Sequence, residues 1–209
     1  DYKGLGAYGW SSQYQQVPRP LGGGIIKDEW LRFYEGAPSV SRKIITADLS
    51  FKGGKTSDYV CFQCWGSSGP NKYLLDIVRG RWSYAETKER FIDFCNKNQA
   101  SLKFIEDKAN GPALISDLKD TVKGIRAWPE KSSKYLNADK VLRLNMVSVH
   151  FEMGEVYLPK NIELIKEYVD EWRPFPQKDS ATGTEEGVAP TPRALLVLKN
   201  SPFLNYLII

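Results

Sequence analysis

Three apolar, strand-like segments follow one another at 44–51, 58–65 and 72–78, separated only by short glycine-bearing turns. Lys52-Gly53-Gly54-Lys55 lies in the first gap, and Gly66-Ser67-Ser68-Gly69-Pro70-Asn71 fills the second. Strands joined this closely must run antiparallel, because a parallel return needs a crossover of a dozen or more residues. The stretch therefore predicts an antiparallel meander. Helix and strand patterns then alternate. Ser83 and Glu86 have capping-box spacing for a helix whose apolar face carries Phe91, Ile92 and Cys95. Residues 102–105 form a short apolar strand that joins the sheet in parallel by a crossover. A second helix spans 112–119, with Pro112 suited to its first turn, and 124–128 forms another short strand.

Residues 137–149 have helical periodicity, with Val141, Leu144, Met146 and Val147 as candidate buried positions. Residues 156–158 read as a strand or extended edge. Asn161 is placed to cap a helix through Trp172, with Ile162, Ile165, Tyr168, Val169 and Trp172 as its stripe and Pro174 and Pro176 as its stop. The span 177–192 is polar and reads as a loop, and 193–199 as a short final helix with Pro192 at its start. At the other end, glycines and prolines keep the first 25 or so residues irregular. Bulky apolar residues between 26 and 34 dock that arm on the domain.

Composition narrows the class. A chain of 209 residues with 42% hydrophobic and 26% charged residues suits one soluble globular domain. A net charge of +4 points only weakly to a polyanionic partner. There is no apolar run long enough for a bilayer and no signal-peptide pattern at Asp1, so no membrane role is expected. The apolar end, 203–209, reads as a docked tail or an exposed sticky end. Three cysteines cannot all pair within one chain, which fits a reducing compartment. Cys61 and Cys64 have Cys-x-x-Cys spacing, but they lie in a strand, and only Cys95 and His150 remain as soft ligands. They read as buried thiols, and His150 reads as a packed core histidine.

Two strands run directly into acids. Asp48 follows Ile44-Ile45-Thr46-Ala47, and Glu106-Asp107 follows Leu102-Lys103-Phe104-Ile105. Asp is disfavoured within strands. If the strands are adjacent, their acids offer hard oxygen ligands to Mg²⁺ or Mn²⁺. Two such cations roughly 4 Å apart can activate water and stabilise the leaving oxygen in phosphodiester hydrolysis. The plainer alternative is surface pairing with Lys103 or Lys108. Lys52, Lys55, Arg79, Arg81, Lys140 and Arg143 are, as a set, candidate phosphate contacts, which add affinity without reading sequence; taken singly, each reads first as a solvated surface charge.

Several segments carry a resemblance in order. They are Ala47-Asp48-Leu49-Ser50-Phe51-Lys52 with Lys55-Thr56-Ser57-Asp58-Tyr59, then 73–82, Ile105-Glu106-Asp107-Lys108-Ala109-Asn110-Gly111, 139–143 and 151–159. Upstream, Ser12-Gln13-Tyr14-Gln15-Gln16 with Pro18 and Gly22-Gly23-Gly24 resembles a link from an ATPase motor. Over about residues 10 to 176 the chain resembles the nuclease part of phage terminase large subunits. The resemblance implies a ribonuclease H-like α/β fold, a mixed central sheet of antiparallel meander plus parallel strands flanked by helices. It implies an arm at 1–38 from a missing ATPase domain, a nuclease domain at 39–176, and a loop and tail at 177–209. It implies a two-metal endonuclease that cuts concatemeric double-stranded viral DNA in the host cytoplasm, with the ATPase domain, portal and small terminase subunit as partners. No Gly-x-x-x-x-Gly-Lys-Ser/Thr loop occurs, so ATP hydrolysis is not expected of this chain.

Carried over by position, Asp48 is the first metal ligand and Glu106 the second, with Asp107 as the alternate. Neighbours on a strand face opposite ways, so only one of these two acids faces the metals. The third acid departs from the family. Phe175-Pro176 is present, but no Asp-rich cluster follows. Asp179 is the nearest acid, and Glu185-Glu186 match better when counted back from Ala194-Leu195. Pro190 and Pro192 are expected to break a helix there. Metal binding weaker than the family's follows as an expectation, as does the alternative of an inactive nuclease fold that binds DNA or docks the packaging machinery.

Overall fold

The structure, a computed structural model, describes residues 24–49, 59–107, 109–128, 140–172 and 190–199. A 3₁₀ turn at Asp28–Trp30 leads into β1 (Arg32–Tyr34), followed by β2 (Arg42–Leu49), β3 (Val60–Ser68) and β4 (Asn71–Gly80). Then come α1 (Tyr84–Asn98), β5 (Leu102–Glu106), α2 (Gly111–Leu118), β6 (Ile125–Trp128) and α3 (Lys140–Glu152). β7 (Val156–Pro159), α4 (Ile165–Trp172) and α5 (Pro190–Lys199) complete the described elements. The described strands form one sheet in the order β1-β7-β4-β3-β2-β5-β6.

The meander is as expected: β2 pairs β3 and β3 pairs β4, both antiparallel. β5 joins β2 in parallel, and β6 joins β5 in parallel. On the other flank β7 lies in parallel between β4 and β1, so it is an interior strand rather than an edge. The docking expected of 26–34 takes the form of an added strand, with Arg32 opposite Tyr157.

β2 and β3 are buried along most of their length, because both faces of the sheet are covered. One face packs Ile45, Phe62, Cys64 and Ile105 against Phe91 and Phe94 of α1 and Leu114 of α2. The other packs Ile44, Cys61, Trp65 and Phe104 against Leu144 and Val147 of α3 and Ala194 to Leu198 of α5. Cys61 and Cys64 thus lie on opposite faces, as an odd spacing on a strand requires, and cannot share a zinc ion. All three cysteines are buried and free. Burial pushes the thiols of Cys64 and Cys95 up to about 12.

Local signals hold well at α1. The Ser83 hydroxyl accepts from the Glu86 amide, and the Glu86 carboxylate accepts from the Ser83 amide. Other expectations shift. Met146 is 37% exposed, because α3 turns Arg143, Leu144, Val147, His150 and Phe151 inward, and Met146 falls on the outer side. α4 begins at Ile165 rather than Asn161. The final helix forms with Pro192 near its start, as expected, but α5 begins earlier, at Pro190: neither proline breaks it, because both occupy its first turn, where a missing N–H leaves no bond unmade.

His150 is buried in an ionic cluster. Its Nδ1 lies 2.5 Å from Glu155 Oε2, and Lys72 Nζ lies 3.0 Å from the same oxygen. Burial alone would raise the Glu155 carboxyl, but hydrogen bonds from His150 and Lys72 and their charges outweigh it, so its pKa is lowered. A lowered folded-state pKa gives stability that is present above the unfolded value, about 4.3, and lost as pH falls through the folded value. Glu155→Gln is therefore expected to cost about 2 kcal/mol at pH 7, between the values for exposed and fully buried pairs. The gap between the two proteins in urea melts should begin to close as pH falls below about 4.3, the unfolded value; a gap that persists unchanged at pH 3 would refute this account.

Candidate active site

Asp48 occupies the penultimate position of β2 and is 3% exposed. β2 and β5 run in parallel, with Ala47 opposite Ile105. One residue further along both strands stand Asp48 and Glu106. Ala47 and Ile105 belong to the α1/α2 side, so by strand alternation both acids face the α3/α5 side. The sheet thus brings two carboxylates from separate segments to one end of one face.

Glu106 is 8% exposed and held by two arginines. Arg193 Nη2 of α5 lies 3.1 Å from its Oε2, and Arg143 Nη1 of α3 lies 3.8 Å from its Oε1. Arg193 Nη1 also donates to the Ala47 carbonyl at 2.7 Å. Arg193 is 1% exposed and α5 is anchored beside it: the Thr191 hydroxyl donates to Gln63 Oε1 at 3.0 Å and shares a short hydrogen bond with the Tyr168 hydroxyl.

Asp107 is placed differently. Its side chain is exposed, and its amide donates to the Trp128 carbonyl at 2.8 Å. The chain then turns sharply: Ala109 has φ 50°, and Gly111 opens α2. A Cβ at Gly111 would stand 1.7 Å from the Glu106 carbonyl oxygen. Only glycine allows α2 to start this close to the end of β5.

The register extends the site across the sheet. Asp48 stands opposite Cys61, and Cys61 opposite Arg79. Arg79 is therefore on the same face, two strands or roughly 10 Å from Asp48. The guanidinium carbons of Arg79 and Arg81 lie 4.1 Å and 4.5 Å from the Tyr59 ring centroid. Arg143, expected as a phosphate contact, is instead buried against Glu106, because it sits beside Leu144 on the inner face of α3. Lys140 opens α3. Lys52, Lys55, Asp179, Glu185 and Glu186 lie outside the described residues.

Arg193 is the site residue that sequence reasoning missed. Its signal was a single charge at the head of the apolar run Ala194-Leu195-Leu196-Val197-Leu198. Such a charge, carried into a core, needs a partner there.

The donor chemistry suits a divalent cation in part. Asp48 and Glu106 are adjacent hard-oxygen ligands of the kind Mg²⁺ and Mn²⁺ accept. Among the described residues no group of three or more His, Cys, Asp or Glu side chains could hold a metal. Glu106 is also already paired with two guanidiniums.

A family profile described as the terminase RNaseH-like domain matches residues 45–188. A comparison with curated proteins finds no significant match. Among solved structures, the large terminase nuclease of thermophilic phage G20c with bound magnesium aligns with a TM-score of 0.59 at 16% identity, covering 85% of this chain and 98% of that one. The large terminase nuclease domain of bacteriophage SPP1 with bound manganese gives 0.53 at 14% identity, covering 81% and 99%. The large terminase of another thermophilic bacteriophage gives 0.59 at 10% identity, covering 88% of this chain but 46% of that one. At such identities the likeness is one of fold.

Proposed function

Because the chain belongs to the terminase RNaseH-like domain family, we propose that it is a divalent-metal-dependent endonuclease that cuts double-stranded viral DNA during genome packaging. The observation that carries this reading is the placement of Asp48 and Glu106 side by side at the ends of β2 and β5. Similar folds have been solved with magnesium or manganese bound, which supports the same cofactor here.

In this reading Asp48 and Glu106 hold the metal, which when bound supplies Lewis acidity for phosphodiester hydrolysis. The chain's own residues do the rest. The Glu106 carboxylate is oriented by Arg193 from one side and Arg143 from the other. Asp107, exposed just past the end of β5, takes no part. Arg79 and Arg81, near the same end of the sheet, receive DNA phosphates, with Tyr59 stacked to keep their guanidiniums in place. These are backbone contacts and confer no sequence preference. Asp179, Glu185 and Glu186 are candidates for a further carboxylate. We place residues 1–38 as the link from an ATPase domain, 39–176 as the nuclease, and 177–209 as its loop and tail. The portal, the small terminase subunit and action in the host cytoplasm complete the reading.

Incubating the chain with supercoiled plasmid should give linear and fragmented DNA with Mn²⁺ and none with chelator. A second reading, a nuclease fold that binds DNA without cutting, draws on the two ion pairs that already engage Glu106. Intact DNA at high protein concentration with Mn²⁺, accompanied by a mobility shift, would select it and reject the enzyme.

A further inference from the structure

Glu106 differs in kind from a carboxylate waiting for metal, because a charged group that cannot leave by deprotonation already holds it. Arg193 reaches it from α5 at 3.1 Å, and its other terminal nitrogen is fixed on the Ala47 carbonyl of the neighbouring strand. The guanidinium therefore bridges the two strands whose ends carry Asp48 and Glu106. It is not a loose side chain. Residues 191–198 are all buried, Thr191 is tied to Gln63 and Tyr168, and α5 packs on both β2 and α3. Arg143 approaches the other Glu106 oxygen only to 3.8 Å, so the closer and better anchored charge is that of Arg193.

We propose that Arg193 is a resident cation of this site: its guanidinium competes with the divalent metal for Glu106 and thereby sets how tightly the metal binds. This rests on the proposed metal site at Asp48 and Glu106. The physical basis is twofold. A carboxylate oxygen that accepts a charge-assisted hydrogen bond has given up part of its ligand capacity. A fixed positive charge beside the pair also repels a second positive charge in a setting of low dielectric. Arg193 is a positioning residue, since it touches Glu106 and β2 rather than the DNA.

The test compares Mn²⁺ binding by calorimetry to the wild-type chain, Arg193→Lys and Arg193→Met. Arg193→Met removes the charge while keeping an unbranched side chain and should bind Mn²⁺ at least about tenfold more tightly than wild type, since it frees a charge-assisted contact. Arg193→Lys keeps the charge and should stay close to wild type. A Met variant that melts cooperatively yet binds no more tightly would overturn the proposal. So would a Lys variant that tightens as much as Met. If Arg193→Met does not fold, the wild type still decides: the Arg193 Nε–H signal of a ¹⁵N-labelled sample should shift on saturation with Mg²⁺, and an unmoved signal overturns the proposal. The two readings fail separately. Absent cleavage with the affinity order intact rejects the nuclease, whereas cleavage with equal affinities rejects the resident cation.

Discussion

Asp48→Asn is expected to lower Mn²⁺-dependent plasmid cleavage by about a hundredfold or more. Losing even an outer partner of a metal ligand commonly costs 10–100-fold, and Asp48 is proposed as a ligand itself. The substitution is close to isosteric, so the buried end of β2 keeps its shape while losing its charge. Two measurements separate this from damage to the fold. The variant should still melt cooperatively. Saturating Mn²⁺ should raise the melting temperature of the wild type, by mass action on the native state, and leave that of Asp48→Asn unmoved. Asp107→Asn is the matched control: its side chain is exposed, past the end of β5, so cleavage should scarcely change. Full activity in Asp48→Asn would sink the assignment, and loss of activity in Asp107→Asn would place the site on the wrong neighbour.

The second large effect concerns a residue with no side chain. Gly111→Ala puts a methyl group 1.7 Å from the Glu106 carbonyl oxygen, a distance at which backbone must move. Overpacking of this kind costs about 3 kcal/mol, or a fall of roughly 6–12 °C in melting temperature for a chain of this size. The movement falls on the end of β5, which carries Glu106. A misplacement of about 1 Å can cost roughly a hundredfold in rate, so cleavage by the folded fraction should drop as well. A variant with unchanged melting temperature and full cleavage would show that α2 can start elsewhere. The contact ties the start of α2 to the acid that ends β5 through the backbone.

What the sequence disclosed was local. The meander follows from apolar runs and short turns, and α1 from the reciprocal Ser83–Glu86 cap. The acids Asp48 and Glu106 stand out because each ends an apolar strand. What it concealed depends on distant partners. β1 is three residues long and becomes a strand only because β7, more than 120 residues later, offers it an edge. Met146 looked buried because apolar spacing on α3 fits more than one face, and tertiary packing chose the face holding Arg143 and His150. Arg143 looked like a surface charge because nothing nearby in sequence names its partner. Arg193 was hidden for the same reason, although the short helix that carries it was expected from 193 onward. The segments holding Asp179, Glu185 and Glu186 lie outside the described residues, so the expected third acid rests on sequence alone.

The bond from Arg193 to the Ala47 carbonyl joins residues 146 positions apart. Contacts of that separation form late, since a long loop must close before they can contribute. On a ribosome, the strands bearing Asp48 and Glu106 would emerge and could pair well before α5 arrives to cover them. The buried pair is therefore completed by the last of the described helices, and a nascent chain would hold both acids without Arg193 beside them. For the nuclease proposed above, the order of synthesis would itself delay the arming of the blade.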